Sequence, residues 1–556
     1  MLKRGTEPIY QKLPDPTPDY YPLTVRHPSA IITATDAGCV RPSNLELMEA
    51  FFPRSPGSKG RYKPMEKHIL QELAGIAAPM PVLSAPEEML VYECDGHTLD
   101  KAPPSAVVFP STTAQVVAIV KLANKYGLPF VARGAGTGLS GGALALDGGI
   151  VIEMCRMNKI LEIDYVNQRA VVQPGLVNLH LSLAVADAGY YYAPDPSSQG
   201  SCTIGGNVAE NSGGPHTLKY GVTTNHVLGL EVVLCDGMVV HFGGPTLDTP
   251  GYDLTGLFVG SEGTFGIVTQ VTVRLLCKPQ AWKTVLAFFP SVDAASSAVS
   301  GIISAGIIPG ALEMMDNLAI QAVEGAIQAG LPLDADALVL IELDGIADGM
   351  EEDAARIAAI CQQHGCQGIR IAKDEAERAL LWKGRKEAFG AVGRLSPNYY
   401  THDGVIPRTR LPEALRRLQQ ISATYGLRIA NVFHAGDGNL HPLVLYDERD
   451  PEEVKRVLQA GEAILRTCVD LGGVLSGEHG IGLEKKNCMP WLFTDDDLEI
   501  MYRLRQIFNP QQLCNPGKVI PLRGRCRCGA VTAEDTVTSA VQEAVAAALE
   551  GAHVHT

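Results

Sequence analysis

The stretch that most narrows the choice of fold is Arg133-Gly134-Ala135-Gly136-Thr137-Gly138-Leu139-Ser140-Gly141-Gly142. Backbone this bare lets consecutive amide groups approach an anion. Gly136, Gly138 and Gly141 even satisfy the spacing of a dinucleotide-binding turn, with Glu153 suitably downstream. That turn must open a helix whose N-terminus holds the pyrophosphate. Here only Ala143 to Gly149 separate the loop from the strand-like Ile150-Val151-Ile152, and Asp147-Gly148-Gly149 reads as a turn. There is no room for the helix, which rules out classical nicotinamide binding.

Two more loops have the same chemistry. Pro194-Asp195-Pro196-Ser197-Ser198 leads to Gly205-Gly206-Asn207 and Asn211-Ser212-Gly213-Gly214, and Gly260-Ser261-Glu262-Gly263 comes before an alternating run from Ile267 to Leu276. Small residues, hydroxyls and amides suit a pyrophosphate flanked by ribityl and adenine moieties. A single loop of this kind is more often a turn. Three in one region favour a phosphate-bearing cofactor.

The surrounding pattern is α+β. Val107 to Pro110 reads as a strand, Thr112 as part of an N-cap, and Val116, Val117, Val120 and Ala123 as one helix face that Gly127 closes. Pro129 to Ala132 is the next strand, and Asp236-Gly237 is the turn of a hairpin from Glu231 to Phe242. A second unit begins near Pro279. Strands at Thr284 to Phe289 and Ala337 to Leu343 alternate with helices at Ser291 to Ala305 and Glu351 to His364, and helix dominates Asp374 to Phe389 and Pro451 to Leu471. The expected division is an N-terminal segment (1–100, its latter part helical from Pro64 to Ala77 and packed on the loop domain), the loop domain (101–278), a cap (279–506), a return segment (507–520) and a tail (521–556). The tail holds one amphipathic candidate, with Val537, Val541, Val545 and Leu549 spaced four apart.

Composition removes several functions. Of 556 residues 46% are apolar and 19% charged, the balance of a folded chain. A net charge of −15 repels nucleic acid and anionic lipid headgroups. No apolar run approaches the roughly 18 residues of a spanning helix. The start has no apolar stretch behind Lys3 and Arg4, which points to the cytoplasm. The 13 cysteines include no tight group of four (the nearest are Cys361 with Cys366, and Cys514 with Cys526 and Cys528), so no iron–sulfur cluster is expected in this chain.

In the second unit, Phe433-His434-Ala435-Gly436-Asp437-Gly438-Asn439-Leu440-His441 carries two imidazoles that the glycine-bracketed turn lets converge. Ser476-Gly477-Glu478-His479-Gly480 adds a carboxylate and a third imidazole. A lone histidine is usually structural, but two His and one Glu in glycine-bracketed motifs are a candidate ligand set for a zinc-like divalent metal, with an open position for substrate.

The glycine loops, with Tyr192-Ala193-Pro194-Asp195-Pro196-Ser197-Ser198 and Gly205-Gly206-Asn207-Val208-Ala209-Glu210-Asn211, resemble the FAD-binding domain of the vanillyl-alcohol-oxidase/p-cresol-methylhydroxylase (PCMH) superfamily. The match is to its D-2-hydroxyacid dehydrogenase branch, among the FAD-binding D subunits of bacterial glycolate oxidases, over about residues 85–525. The resemblance implies a PCMH-type FAD domain, an α+β (ferredoxin-like) cap and a helical C-terminal segment. It implies FAD held by Arg133, Gly134, Ala135, Gly136, Thr137, Gly138, Pro194, Asp195, Ser198, Gly205, Gly206, Asn207, Asn211, Gly214, Gly260, Glu262, Gly263, Ile267 and Asn515. Thr137 stands where covalent members carry a histidine, so the FAD is expected to be noncovalent.

It further implies metal ligation by His434, His441 and Glu478, His479 as catalytic base, and Arg385 on the substrate carboxylate. Phe389 and Thr401 occupy places where 2-hydroxyglutarate relatives grip a second carboxylate, which points to a small monocarboxylate. The implied reaction is glycolate to glyoxylate. Electrons would leave through a second FAD-domain subunit and an iron–sulfur subunit to quinone, the chain being peripheral on the inner membrane through these partners. The alternatives are D-lactate or another D-2-hydroxyacid as substrate, a colourless metal-dependent hydrolase with structural glycine loops, and a non-catalytic scaffold subunit.

Overall fold

A computed structural model of the chain describes residues 62–246 and 250–521, all within one compact unit. The amphipathic tail candidate, Cys526, Cys528 and the first 61 residues lie outside the described residues.

The glycine-loop half is built on two sheets. The first has three parallel strands in the order Ala106–Val108, Ile150–Glu153, Phe130–Arg133. The expected helix spans Thr113–Tyr126, with Thr112 accepting from the Gln115 amide and Gly127 left-handed at its end. It packs beside Lys67–Ala77 on an apolar core. The second sheet is antiparallel, in the order Ile160–Asp164, Arg169–Val172, Gly266–Arg274, Val227–Leu234, Val239–Gly243. Its central strand alternates as read, with Thr269, Val271 and Val273 buried. Gly237 turns the hairpin at φ 86°. Residues 513–515 return to the free edge of the first sheet, where the Phe130 amide donates to the Leu513 carbonyl and the Asn515 amide to the Phe130 carbonyl.

The second half is a seven-stranded antiparallel sheet in the order Gly368–Ile371, Ala281–Phe289, Ala337–Gly345, Ala311–Asp316, Ile429–Phe433, Pro442–Tyr446, Asn398–Thr401. Helices cover both faces. Val339 and Ile341 face the helices Val292–Ser304, Met350–Gln363, Leu411–Tyr425 and Pro451–Asp470, while Leu338 and Leu340 face Asn317–Ile327 and Glu375–Lys386. Strands covered on both faces read as continuous apolar runs, which explains why Ala337–Gly345 and Pro442–Tyr446 carry no alternation signal.

A polar latch joins the halves. Glu342 is fully buried and accepts from Thr284 Oγ1 (2.8 Å), Trp382 Nε1 (2.5 Å) and Arg378 Nε and Nη2 (2.9 and 2.7 Å). His216 reaches it from the loop half, with Nε2 3.5 Å from Glu342, Nδ1 2.9 Å from Asp195 and its ring stacked on Trp382. Asp344, on the same strand as Glu342, pairs with Lys219 and accepts from the Tyr220 hydroxyl. Burial works against both charges, but Asp195 and Glu342 raise His216 to about 10, and His216 and Arg378 hold Glu342 at about 2.

The linkage signs follow. Glu342 contributes stability present above its ordinary 4.5 and lost as pH falls towards 2. His216 contributes stability present below its ordinary 6.5 and lost as pH rises through 10. The latch is therefore strongest between pH 4.5 and 6.5. Thermal unfolding across pH should show Glu342→Gln losing stability relative to wild type above pH 4.5, with the difference shrinking towards pH 2.

Candidate active site

A cavity of ≈ 380 Å³ runs from the glycine loops to the second half. Its wall includes Arg133, Gly134, Ala135, Gly136, Thr137, Gly138, Ser198, Gly205, Gly206, Asn207, Glu262, Gly263, Ile267 and Asn515. The second half contributes Lys386, Phe389, Glu478 and His479 to the same wall. The wall suits a nucleotide cofactor. A Cβ on Gly138 would find only Asp95 Oδ2 within 4 Å, at 3.7 Å, and one on Gly263 only Asn515 Nδ2, at 3.9 Å. Either side chain would fill cavity space instead of packing on protein. Asn515 closes the wall, donating to the Gly142 and Glu262 carbonyls at 2.9 and 2.8 Å.

Pro194, Asp195, Asn211, Gly214 and Gly260 are not on that wall. The Pro194 carbonyl accepts from Asn178 Nδ2, Asn211 Oδ1 accepts from the Thr224 amide, and Gly260 and Gly214 pack on Asn211 and the Asp195 backbone. Asp195 is turned to His216 and to Lys386, 3.3 Å away. Glu153, which the dinucleotide spacing would assign to a ribose, lies beside Arg133 in strand register and pairs with it at 3.8 Å.

Glu478 and His479 lie on a loop with no regular secondary structure, so side chains must hold it. Asp403, fully buried, accepts from Ser476 Oγ (2.5 Å), the His479 amide (2.8 Å) and the Glu478 amide (3.2 Å), with Lys485 Nζ at 3.5 Å. Glu262 reaches the other end of the loop from the glycine-loop half and accepts the Ile481 and Gly482 amides, both at 2.7 Å. Burial opposes ionisation of Asp403, but His479, Lys485 and His441 hold it well below the usual carboxylate range.

The turn between His434 and His441 brings the two rings edge to face, with centroids 5.1 Å apart. Glu478 Oε1 lies 3.2 Å from His434 Nε2 and 3.3 Å from His441 Nε2. The His479 ring stacks on His441 at 4.8 Å, and its Nε2 is 3.8 Å from Glu478. Burial pushes Glu478 up, but the three imidazoles hold it at about 2. The donor set fits a divalent metal, since both ring nitrogens of buried His441 lack a hydrogen-bond partner and would be free to ligate.

Glu313 is a missed residue of this cluster. Both its oxygens lie 2.9 Å from His434 Nδ1, which turns His434 Nε2 towards Glu478, and Oε2 pairs with Arg385 Nη2 at 2.5 Å. Arg385 is itself buried, on Glu313, and is not on the cavity wall. Thr401 is buried too, whereas Phe389 lines the cavity edge-on to His441. The available signal for Glu313 is an acid inside the apolar run Ala311-Leu312-Glu313-Met314-Met315, since a charge there needs a buried partner. Asp403, beside His402, and Glu210, whose unpartnered carboxyl is on the cavity wall, carried no signal of spacing.

The chain matches the family models "FAD binding domain" over residues 104–243 and "FAD linked oxidases, C-terminal domain" over residues 278–519. Glycolate oxidase subunit GlcD of Escherichia coli K12 is 50% identical over 458 residues, covering 82% of this chain and 92% of the relative. The Bacillus subtilis GlcD is 40% identical over 462 residues, with coverage of 83% and 98%. Among solved structures, p-cresol methylhydroxylase with substrate bound has a TM-score of 0.70 at 18% identity, covering 82% of this chain and 97% of that one, a likeness of fold.

Glu313→Met leaves Arg385 buried without its counter-charge and should cost about 3–5 kcal/mol of stability. The double variant Glu313→Met with Arg385→Met should recover part of that loss. Urea unfolding of the two single variants and the double variant measures both.

Proposed function

The chain belongs to the FAD-linked oxidase family, and on that premise we propose that it oxidises glycolate to glyoxylate. The observation that carries this reading is a single cavity walled by the glycine loops at one end and by Glu478 and His479 at the other. FAD held by those loops would supply the hydride acceptor, and Thr137, standing where covalent members carry a histidine, supports noncovalent binding. A divalent metal on His434, His441 and Glu478 would lower the pKa of the substrate hydroxyl.

This chain's residues do the rest. His479, oriented by its stack on His441 and by the Asp403 bond to its amide, takes the hydroxyl proton. Glu313 fixes the His434 tautomer and holds the buried Arg385 guanidinium beside it, with Nη2 3.4 Å from His434 Nδ1. The apolar Phe389 ring on the cavity wall supports a small substrate with one carboxylate. Wall residues from both halves line the space where the substrate and the cofactor would meet.

Among the described residues no helix is long and apolar enough to cross a membrane. We assign the electrons to a multi-subunit complex, passing through a second FAD-domain subunit and an iron–sulfur subunit to the quinone pool. The chain would then be cytoplasmic and peripheral on the inner membrane through those partners.

The test is the visible spectrum of the purified chain before and after anaerobic addition of glycolate. A flavin spectrum bleached by glycolate more readily than by D-lactate is expected. The reverse order would move the assignment to D-lactate, and a colourless chain that takes up no FAD would overturn it. His479→Ala should keep the flavin spectrum while bleaching slows about 10²–10⁴-fold. Metal analysis should find one divalent ion per chain, lost in His441→Ala.

A further inference from the structure

We propose that Glu210 is a protonated acid that donates a hydrogen bond to the isoalloxazine ring of the bound FAD and favours its reduced form. The inference rests on the FAD reading above but not on the choice of glycolate. Glu210 is the last residue of the helix Ile204–Glu210 and lines the cavity with Gly142, Glu262, His479 and Asn515. Its carboxyl lies between two glycines of the site. A Cβ on Gly142 would meet Oε1 at 2.9 Å, and one on Gly480 would collide with Oε2. Gly480 directly follows His479, so this is the reacting end of the cavity, where a hydride acceptor must lie.

The carboxyl has no partner to serve within the described residues. Oε2 is shut off from solvent and makes no hydrogen bond. The nearby cations are committed elsewhere. Lys485 Nζ lies 3.0 Å from the Gly480 carbonyl and 3.5 Å from Asp403, and Lys518 Nζ donates to the Leu144 carbonyl at 2.7 Å and to Asn515 Oδ1 at 3.0 Å. The neighbouring acid is Glu262, whose Oε1 would lie 3.0 Å from the same Cβ on Gly480. Two carboxyls sharing one site do not both ionise readily. Glu262 is the one equipped to hold the charge, since each of its oxygens accepts an amide at 2.7 Å. Glu210 therefore keeps its proton. Burial and the charges of Glu262 and Asp95 push its carboxyl well above the ordinary 4.5, against the pull of Lys485 and Lys518. A buried acid O–H costs stability unless it finds an acceptor. The isoalloxazine ring offers carbonyl oxygens and ring nitrogens. On taking a hydride (one hydrogen and two electrons) the ring gains one negative charge, and a fixed donor holds the charged form more tightly than the neutral one. Glu210 keeps its proton throughout, and the substrate hydroxyl proton still goes to His479.

Glu210→Gln, which keeps a donor of the same length, and Glu210→Leu, which removes it, test this on FAD-loaded protein by dye-coupled reductive titration, which needs no substrate. Glu210→Leu should bind FAD about tenfold more weakly and lower the midpoint potential by about 30 mV, a tenfold shift of a two-electron couple towards the oxidised form. Glu210→Gln should stay close to wild type in both. A second measurement does not depend on the Leu variant folding. The infrared difference spectrum of wild type on flavin reduction should contain the carbonyl stretch of a protonated carboxyl, and Glu210→Gln should lack it. Three results would each overturn the proposal: a wild type without that band, a Glu210→Gln potential well above wild type (the mark of a carboxylate), or a Glu210→Leu with wild-type Kd and potential. Failure of glycolate to bleach the flavin would move the substrate assignment while these readouts still decide Glu210. A chain that takes up no FAD would overturn both readings.

Discussion

Everything at the reacting end of the cavity depends on the carboxylate of Asp403. The segment from Ser476 to Gly482 makes no helix or strand, and loops of this kind lose their geometry unless side chains satisfy their amides. Asp403 accepts from Ser476 and from the amides of Glu478 and His479, and Lys485 keeps it charged in a site without solvent. A carboxylate with several donors is shorter-bonded and stiffer than neutral pairs would be. Its second oxygen lies 3.6 Å from His441, so one group orders both the loop and the histidine cluster.

Glu262 performs the matching task from the opposite half. Its two bonds to Ile481 and Gly482 mean that the loop carrying Glu478 and His479 is anchored to both sheets at once. Docking of the halves is in turn fixed by Glu342 and Asp344, two acids on one strand that receive His216, Lys219 and Tyr220. Buried ion pairs contribute little net stability because desolvation offsets their attraction, but they punish misplacement heavily. Their value here is that only one relative placement of the halves satisfies all of them.

Much of the glycine-loop half was legible, because each signal was local. Thr112 and Gly127 bracket a helix, Asp236-Gly237 closes a hairpin, and Ile267 to Leu276 alternates as a half-covered strand should. The motif residues His434, His441, Glu478 and His479 were also visible, since glycines on either side announce side chains held for use and not for packing. The strand Ala311–Asp316 was not legible. Its Ala, Leu, Glu and Met are good helix formers, and only the sheet on both sides makes them extended. Glu313 was missed with it, and Asp195 lies in a loop motif while its side chain serves the contact between halves. Partners more than 100 residues apart, such as Glu313 with His434, leave no spacing to read.

The strand pairing of Phe130 with residues 513–515 has a consequence for synthesis. Asn515 supplies the bonds that tie the first glycine loop to the third, and it follows every strand and helix of the second half. A ribosome has therefore made the whole of the second half before the wall of the cavity can close. Until then the glycine loops are open backbone, and the nascent chain has the sequence of a cofactor site without its enclosure. Enclosure of the cofactor site is thus a late event that waits for the segment following the cap and not only for the domain that emerges first.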